Sequence, residues 1–370
     1  MIDPKLAEFT TKLNRIYKLM DAENYEAIVI GTQTNFSWLS CGGSSRVLLT
    51  TDAAAVYLVI TENDRYVVAH TMDGPRNLEE ELQGMGFKAK FRKWIDEPLE
   101  DVILNIVNGR KILSDIPIGG EPGRPTAFYQ LHYPLTEGDM ERYREIDHDA
   151  ERLMRSVVDN TKPGMLETEV ETLMMCEYAK AGFFPVVLLV GSDERLFKYR
   201  HMTPQSKPIE NYLMIIVAFR KYGLNAVLTR SVYFGDHLPN EIADKFEAAS
   251  IIEANCIAHS TPGTKFASIL KMQKELYAEL GYREEWKNHF QGGITGYVVN
   301  DSSLCLDPKI TMVKNQAYNW FITITGVNTE DTFLSYGEDG EILTTTGAWP
   351  LKVYQTRNGK EVKLPKILIK

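Results

Sequence analysis

The chain has 370 residues, of which 44% are hydrophobic and 25% charged, and its formal net charge is -9. This is a globular composition long enough for two cores, and its acidic balance excludes a protein that holds nucleic acid through a general basic field. No run approaches the roughly 18 uninterrupted apolar residues of a membrane span, and Cys41, Cys176, Cys256 and Cys305 are too scattered for a disulfide framework or a zinc ribbon.

The opening MIDPKLAEFTTKL lacks an apolar signal-peptide region and a small-residue cleavage site, so a cytoplasmic protein is expected, with neither nucleic acid nor membrane as partner. Apolar side chains at helical spacing from Leu6 to Asp21 predict a helix, and Tyr25–Ile30 a short strand. Strands follow at Ala54–Ile60 and Tyr66–Ala69, then a helix around 77–85. This alternation predicts a sheet covered by helices. Near Pro134-Leu-Thr-Glu-Gly138 the pattern breaks, and a long amphipathic helix begins at about Asp139. The domain boundary is placed there.

The second part carries an internal repeat. One copy runs helix, Thr161-Lys-Pro-Gly164, a helix through Cys176 and Tyr178, Gly182, then strands. The other runs helix (241–258), Ser260-Thr-Pro-Gly263, a helix through Leu270 and Leu276, Gly281, then strands. Each Pro-Gly ends one helix and starts the next. Two hairpins hold the informative residues. Leu213–Phe219 turns through Arg220-Lys-Tyr-Gly223 into Asn225–Phe234; Ala317–Thr325 turns through Gly326 into Val327–Leu334.

At these hairpins the chain resembles the pita-bread family of Xaa-Pro aminopeptidase, prolidase, methionine aminopeptidase and creatinase. In the first part the likeness rests on Arg15-Ile-Tyr-Lys-Leu-Met20 and Asn35-Phe-Ser-Trp-Leu39. In the second it rests on the duplicated helix pair, Tyr199-Arg-His201 before Pro204, and the hairpin from Gly223 to Leu228-Thr-Arg230. His289-Phe-Gln-Gly-Gly-Ile-Thr-Gly296 and Asn328-Thr-Glu-Asp331 complete the set. The resemblance implies an α+β chain: a creatinase-type α/β N-terminal domain at 1–138, then a pita-bread domain at 139–370. It also implies self-association, with a homodimer expected.

The family's peptidases hold two divalent metals through two Asp, one His and two Glu, whose carboxylates neutralise and bridge the cations. The positions matching the two Asp are Ile216 and Val227, and the position matching the His is Gly293. The region matching the first Glu, Trp320–Thr325, has no acid, and only Glu330 matches a ligand. One carboxylate of five cannot neutralise two dications, so no metal and no cofactor is expected.

His201 matches a histidine that family members place beside the substrate, and in creatinase its counterpart resembles a general base. As a lone histidine it reads equally well as a surface residue bonded to its loop. Glu330 is either an acceptor for a cationic substrate group or a structural partner of Arg230 or Arg220. Arg220 with Arg230 is alternatively an anion site. His289, Gln291 and Tyr297 surround the Gly292-Gly293 turn, either as hydrogen-bonding groups over a cleft or as satisfied neighbours of a tight turn. Whether Asp301 replaces a family acid beyond that turn stays open. Trp320 and Tyr318 read as core. The function expected is a metal-independent C–N bond hydrolase acting on a small polar or peptide-like substrate. In it His201 is the acid/base, and Glu330, His289, Gln291, Tyr297 and Arg220 bind substrate. The alternatives are a non-catalytic ligand- or protein-binding protein and, against the side-chain argument, a dimetal peptidase.

Overall fold

The computed structural model describes residues 3–301, 307, 309–338 and 340–370; Cys305 lies outside them. The chain divides into two compact units, Met1–Asp139 with Tyr222–Leu224, and Met140–Lys221 with Asn225–Lys370.

The first unit opens with α1 (Pro4–Glu23). Asp3 caps it by accepting from the Lys5 amide, and it stops where Asn24 enters the left-handed region. Then follow β1 (Ala27–Thr32), α2 (Gln33–Leu39), β2 (Ala53–Thr61), β3 (Arg65–His70), α3 (Gly74–Arg76), β4 (Lys88–Arg92), α4 (Leu99–Val107) and β5 (Ile112–Ser114). The five strands form one sheet in the order β4-β3-β2-β1-β5, with β1–β2 and β2–β3 antiparallel and both outer pairs parallel. Val29, Val59 and Val68 on one face pack against Val102, Ile103 and Val107 of α4.

One expectation needs correction here, and two elements were not anticipated. The helix around 77–85 is only a turn of α3 running into a π-helical turn at Asn77–Glu81, cut short by Gly84 and Gly86 at positive φ. Asn35-Phe-Ser-Trp-Leu39 is helical, buried on every side, which removes the amphipathic period that would have betrayed it. Lys-Ala-Lys-Phe-Arg of β4 is an edge strand whose alternating charges disguise it.

The second unit is built on the repeat. α5 (Glu137–Asn160), α6 (Glu167–Lys180), β6 (Phe184–Ser192), β7 (Tyr212–Lys221) and β8 (Leu224–Tyr233) make one half. α7 (Asn240–His259), α8 (Phe266–Glu279), β9 (Gly293–Thr295), β10 (Gln316–Ile324) and β11 (Val327–Ser335) make the other. The halves agree in backbone detail. The Gly164 amide donates to Ile209 O, and the Gly263 amide to Met312 O. φ is 88° at Gly164 and 90° at Gly263. Each first helix ends with a hydroxyl donating back one turn, Thr161 to Val157 O and Ser260 to Cys256 O.

β12 (Gly340–Ile342), β13 (Leu351–Gln355), β14 (Glu361–Pro365) and β15 (Leu368–Ile369) follow. The strands form two four-stranded sheets, β15-β8-β7-β6 and β12-β11-β10-β9, with β13–β14 as a separate hairpin. Trp320 and Tyr318 are core, as expected: both are fully buried, their rings stacked 6.4 Å apart, and the Trp320 indole N–H donates to Ser260 Oγ.

Candidate functional site

Strand alternation decides which side chains of the two hairpins meet. In the second hairpin Phe321 lies opposite Glu330 and Thr323 opposite Asn328. In the first sheet Leu189 lies opposite Ile216 and Val187 opposite Ala218. Period two puts each set on one face, and together with Val227 they line a cleft of about 110 Å³. Its rim is made by Arg200, His201, His289, Phe290 and Asn300.

The same alternation separates two neighbouring acids. Glu330 faces the cleft and accepts from Thr229 Oγ1 at 2.6 Å. Burial pushes its carboxyl up to about 7; the Thr229 hydrogen bond opposes this and the Asp331 charge reinforces it. Asp331, one residue on, turns to the other face and pairs with Arg230 at 2.8 Å. Arg230 also reaches Glu151 at 3.3 Å, so this guanidinium is buried structure and forms no anion site with Arg220.

The two rim histidines meet. His201 Nε2 lies 3.1 Å from His289 Nε2, with the rings edge to face. The other ring nitrogen of His289 is 2.5 Å from the Phe290 carbonyl, which can only accept, so Nδ1 carries the hydrogen. In neutral His289 the Nε2 lone pair is then the acceptor and His201 Nε2–H the donor. His201 Nδ1 is left as the base on an exposed ring, with no hydrogen-bond partner among the described residues. Burial lowers the His289 pKa, against the pull of the Phe290 carbonyl, and neighbouring His201 and Arg200 lower it further.

Three polar side chains on the cleft wall have buried atoms with no hydrogen-bond partner among the described residues: both side-chain atoms of Asn300, Thr323 Oγ1 and Asn328 Oδ1. Buried polar atoms are ordinarily satisfied, and a cluster of exceptions in one cleft marks where a ligand supplies the partner. Sequence reading gave none of the three a role in the site, although Asn328 stands in the matched Asn328–Asp331 motif. Asn328 was within its reach, two residues before Glu330 on the same face. Nothing local marks Asn300 or Thr323.

Three of the expected substrate-binding residues are not on this cleft. Gln291 is buried as a linker: its Oε1 accepts from the Tyr277 hydroxyl at 2.8 Å and its Nε2 donates to His289 O at 2.6 Å, which steadies the histidine from behind. Tyr297 is fully buried away from the lining. Arg220 lies near the end of β7 and donates to Asn225 Oδ1 at 3.3 Å. Asp301 is buried beside β9, its amide donating to Ile294 O, and the cleft-lining residue there is Asn300. The Gly292 turn admits a close backbone approach, but from β10 instead of a ligand. At φ 103° a Cβ there would stand 2.2 Å from Asn319 O.

The donor set does not fit the paired metals that the resemblance implies. Ile216 and Val227, which match the two aspartates, are aliphatic floor, and among the described residues Glu330 is the single acid lining the cleft. Gly293 offers no side chain, and β10 has no acid. Among the described residues no group of three or more His, Cys, Asp or Glu stands together in a way that could hold a metal ion. A hard cation on this floor would lose water without replacement oxygens.

Among the described residues no helix is long and apolar enough to cross a membrane. The chain superposes on the Xaa-Pro dipeptidase from Bacillus anthracis with a TM-score of 0.78 at 14% identity, covering 98% of this chain and 100% of that one. The X-Pro aminopeptidase from Thermotoga maritima gives 0.73 at 18% identity, covering 96% and 99%. The N-terminal domain of FACT complex subunit SPT16 from chickpea gives 0.72 at 11% identity, covering 92% and 97%. The fold is therefore the pita-bread α+β fold with its α/β N-terminal domain. No curated protein matches significantly. The model of metallopeptidase family M24 matches residues 141–335, more than half of the chain. The chain belongs to metallopeptidase family M24, as a divergent member in which Ile216, Val227 and Gly293 stand at matched ligand positions and only Glu330 is kept.

Proposed function

We propose that this protein is a metal-independent hydrolase that cleaves a C–N bond in a small, peptide-like substrate. The observation that carries the reading is the His201–His289 contact at 3.1 Å above a cleft that also holds Glu330. In this scheme water attacks the carbon of the C–N bond while His201 Nδ1 takes its proton. The same proton then passes to the leaving nitrogen. His289 accepts the His201 Nε2–H and supports the imidazolium as it forms. Glu330, near neutrality between its two protonation states, holds a polar group of the substrate, with the Asn300 and Asn328 amides beside it. The aliphatic floor favours a substrate with an apolar group, which narrows the expected class.

The test is a panel of dipeptides, amides and guanidino compounds, followed by kinetics on any hit. His201→Ala is expected to lower kcat by about 10²-fold or more, and a chelator to leave the rate unchanged. Turnover that survives in His201→Ala, or that chelation abolishes, ends the proposal. A second reading, a ligand-binding protein without catalysis, is favoured by the aliphatic floor and by the likeness to a domain described as part of the FACT complex. Binding across the panel with no turnover would select it.

The proposed assembly is a homodimer and the proposed location the cytoplasm. Trp94 and Ile95, 74% and 67% exposed in the first unit, support self-association. Sedimentation equilibrium is expected to return twice the chain mass; a monomer at micromolar concentration would remove this part.

A further inference from the structure

His289 and Phe290 have two sides. One lines the cleft. The other lines a second, larger groove of about 610 Å³, bounded by Leu270, Lys271 and Lys274 of α8 and by Trp286 and Lys287 of the turn at Glu285–Asn288. The two spaces share only this aromatic wall, in which the His289 and Phe290 rings stack 4.8 Å apart. Phe290 is 51% exposed.

The groove differs from the cleft in charge. Among the described residues three lysines and no acid line it, on a chain whose formal net charge is -9. Lys287 has Glu284 2.6 Å away and Lys271 has Glu275 at 3.9 Å, both outside the lining. Lys274 forms no ion pair among the described residues and rests 5.6 Å from the centre of the Trp286 ring. Size adds a second argument. The cleft is small, with an aliphatic floor, and a ligand longer than one ring or short chain that leaves it past the half-exposed Phe290 meets the groove.

We infer that the groove holds the carboxylate end of the molecule whose apolar end occupies the cleft, so that the ligand class is a small apolar carboxylic acid. The inference rests on the cleft being the ligand site but not on its being catalytic. The lysines act as exposed point charges, screened by salt, so the selectivity they confer is modest.

The probes are 4-phenylbutanoate and 4-phenylbutanamide, alike except for the terminal charge, titrated by calorimetry into the full chain. The carboxylate is expected to bind about fivefold more tightly at low salt. That advantage should shrink at high salt and in Lys274→Gln, with the amide unchanged. Lys287→Gln, at a solvent-exposed ammonium, serves if Lys274→Gln disturbs Trp286. Equal affinities in the wild type, no binding of either probe, or an advantage that survives Lys274→Gln with Lys287→Gln would overturn the inference. Turnover of a neutral substrate without carboxylate preference would sink the groove alone. Carboxylate preference in a protein that turns nothing over would sink the hydrolase alone.

Discussion

Arg230→Met is expected to cost about 3–5 kcal/mol of stability at pH 8, the largest effect of any single substitution considered for this chain. The wild-type guanidinium is 2% exposed and holds two buried acids, Asp331 at 2.8 Å and Glu151 at 3.3 Å. It also donates to the Thr229 and Thr344 carbonyls. Methionine fills much of the same volume but leaves both carboxylates facing each other without a counter-charge. The hydroxyls of Thr344 and Thr346, each 2.5 Å from its acid, cannot replace a charge. The loss should be smaller at pH 5.5, where the abandoned acids can take up protons and become neutral. Denaturant unfolding at the two pH values measures this. A loss below about 1 kcal/mol, or the same loss at both, would show that the network is not organised around Arg230.

Raising the pH from 5 to 9 is expected to destabilise the wild-type protein, and Asp147→Asn to flatten that dependence. Asp147 on α5 and Glu253 on α7 are buried, and the Asp147 carboxyl has no hydrogen-bond partner among the described residues. Burial, reinforced by the Asp331 charge, pushes both far above their ordinary range; a weak pull from Thr329 and Arg230 on Glu253 does not offset it. The sign follows from proton counting. Unfolded, these acids ionise above about pH 4; folded, each keeps its proton to a higher pH. Between those limits the folded state binds more protons, so stability falls as pH rises, by about 1.4 kcal/mol per pH unit for each such group. Glu330 contributes over a narrower window that closes at about pH 7.

On the acid side the direction reverses. Burial disfavours the Asp193 carboxylate, but the Tyr212, Asn211 and Glu210 amides and Lys207 hold its pKa below the ordinary value, so its contribution is lost as pH falls below about 4. Maximum stability should therefore lie on the acid side of neutrality. Thermal melts across pH 4–9 test this: a flat or rising Tm above pH 5, or an Asp147→Asn slope equal to wild type, would refute it.

These acids were not legible in the sequence. Asp147 sits in Arg-Glu-Ile-Asp-His-Asp-Ala, which reads as the polar side of an amphipathic helix, and only packing turns it inward. Glu253 lies in an apolar helix, and nothing local reveals that its carboxyl is buried against Thr329 and the Asp331 charge. The strands with clear alternation were found to within about two residues, because side-chain period is local chemistry. The edge strand β4 and the all-round buried α2 were missed because their patterns depend on neighbours far along the chain.

The misfit of the metal site was a matter of sequence alone: an isoleucine, a valine and a glycine contribute no charged oxygen or ring nitrogen in any fold. The helix-Pro-Gly-helix duplication was equally readable, since it is written in residues that set φ and end helices. Tertiary structure decided the rest. It brought together two ring nitrogens 88 residues apart, sent Glu330 to the cleft and Asp331 to Arg230, and moved Gln291, Tyr297 and Arg220 off the cleft. The physical reason is that residue type is carried by the covalent chain, whereas contact and burial depend on how the strands are paired.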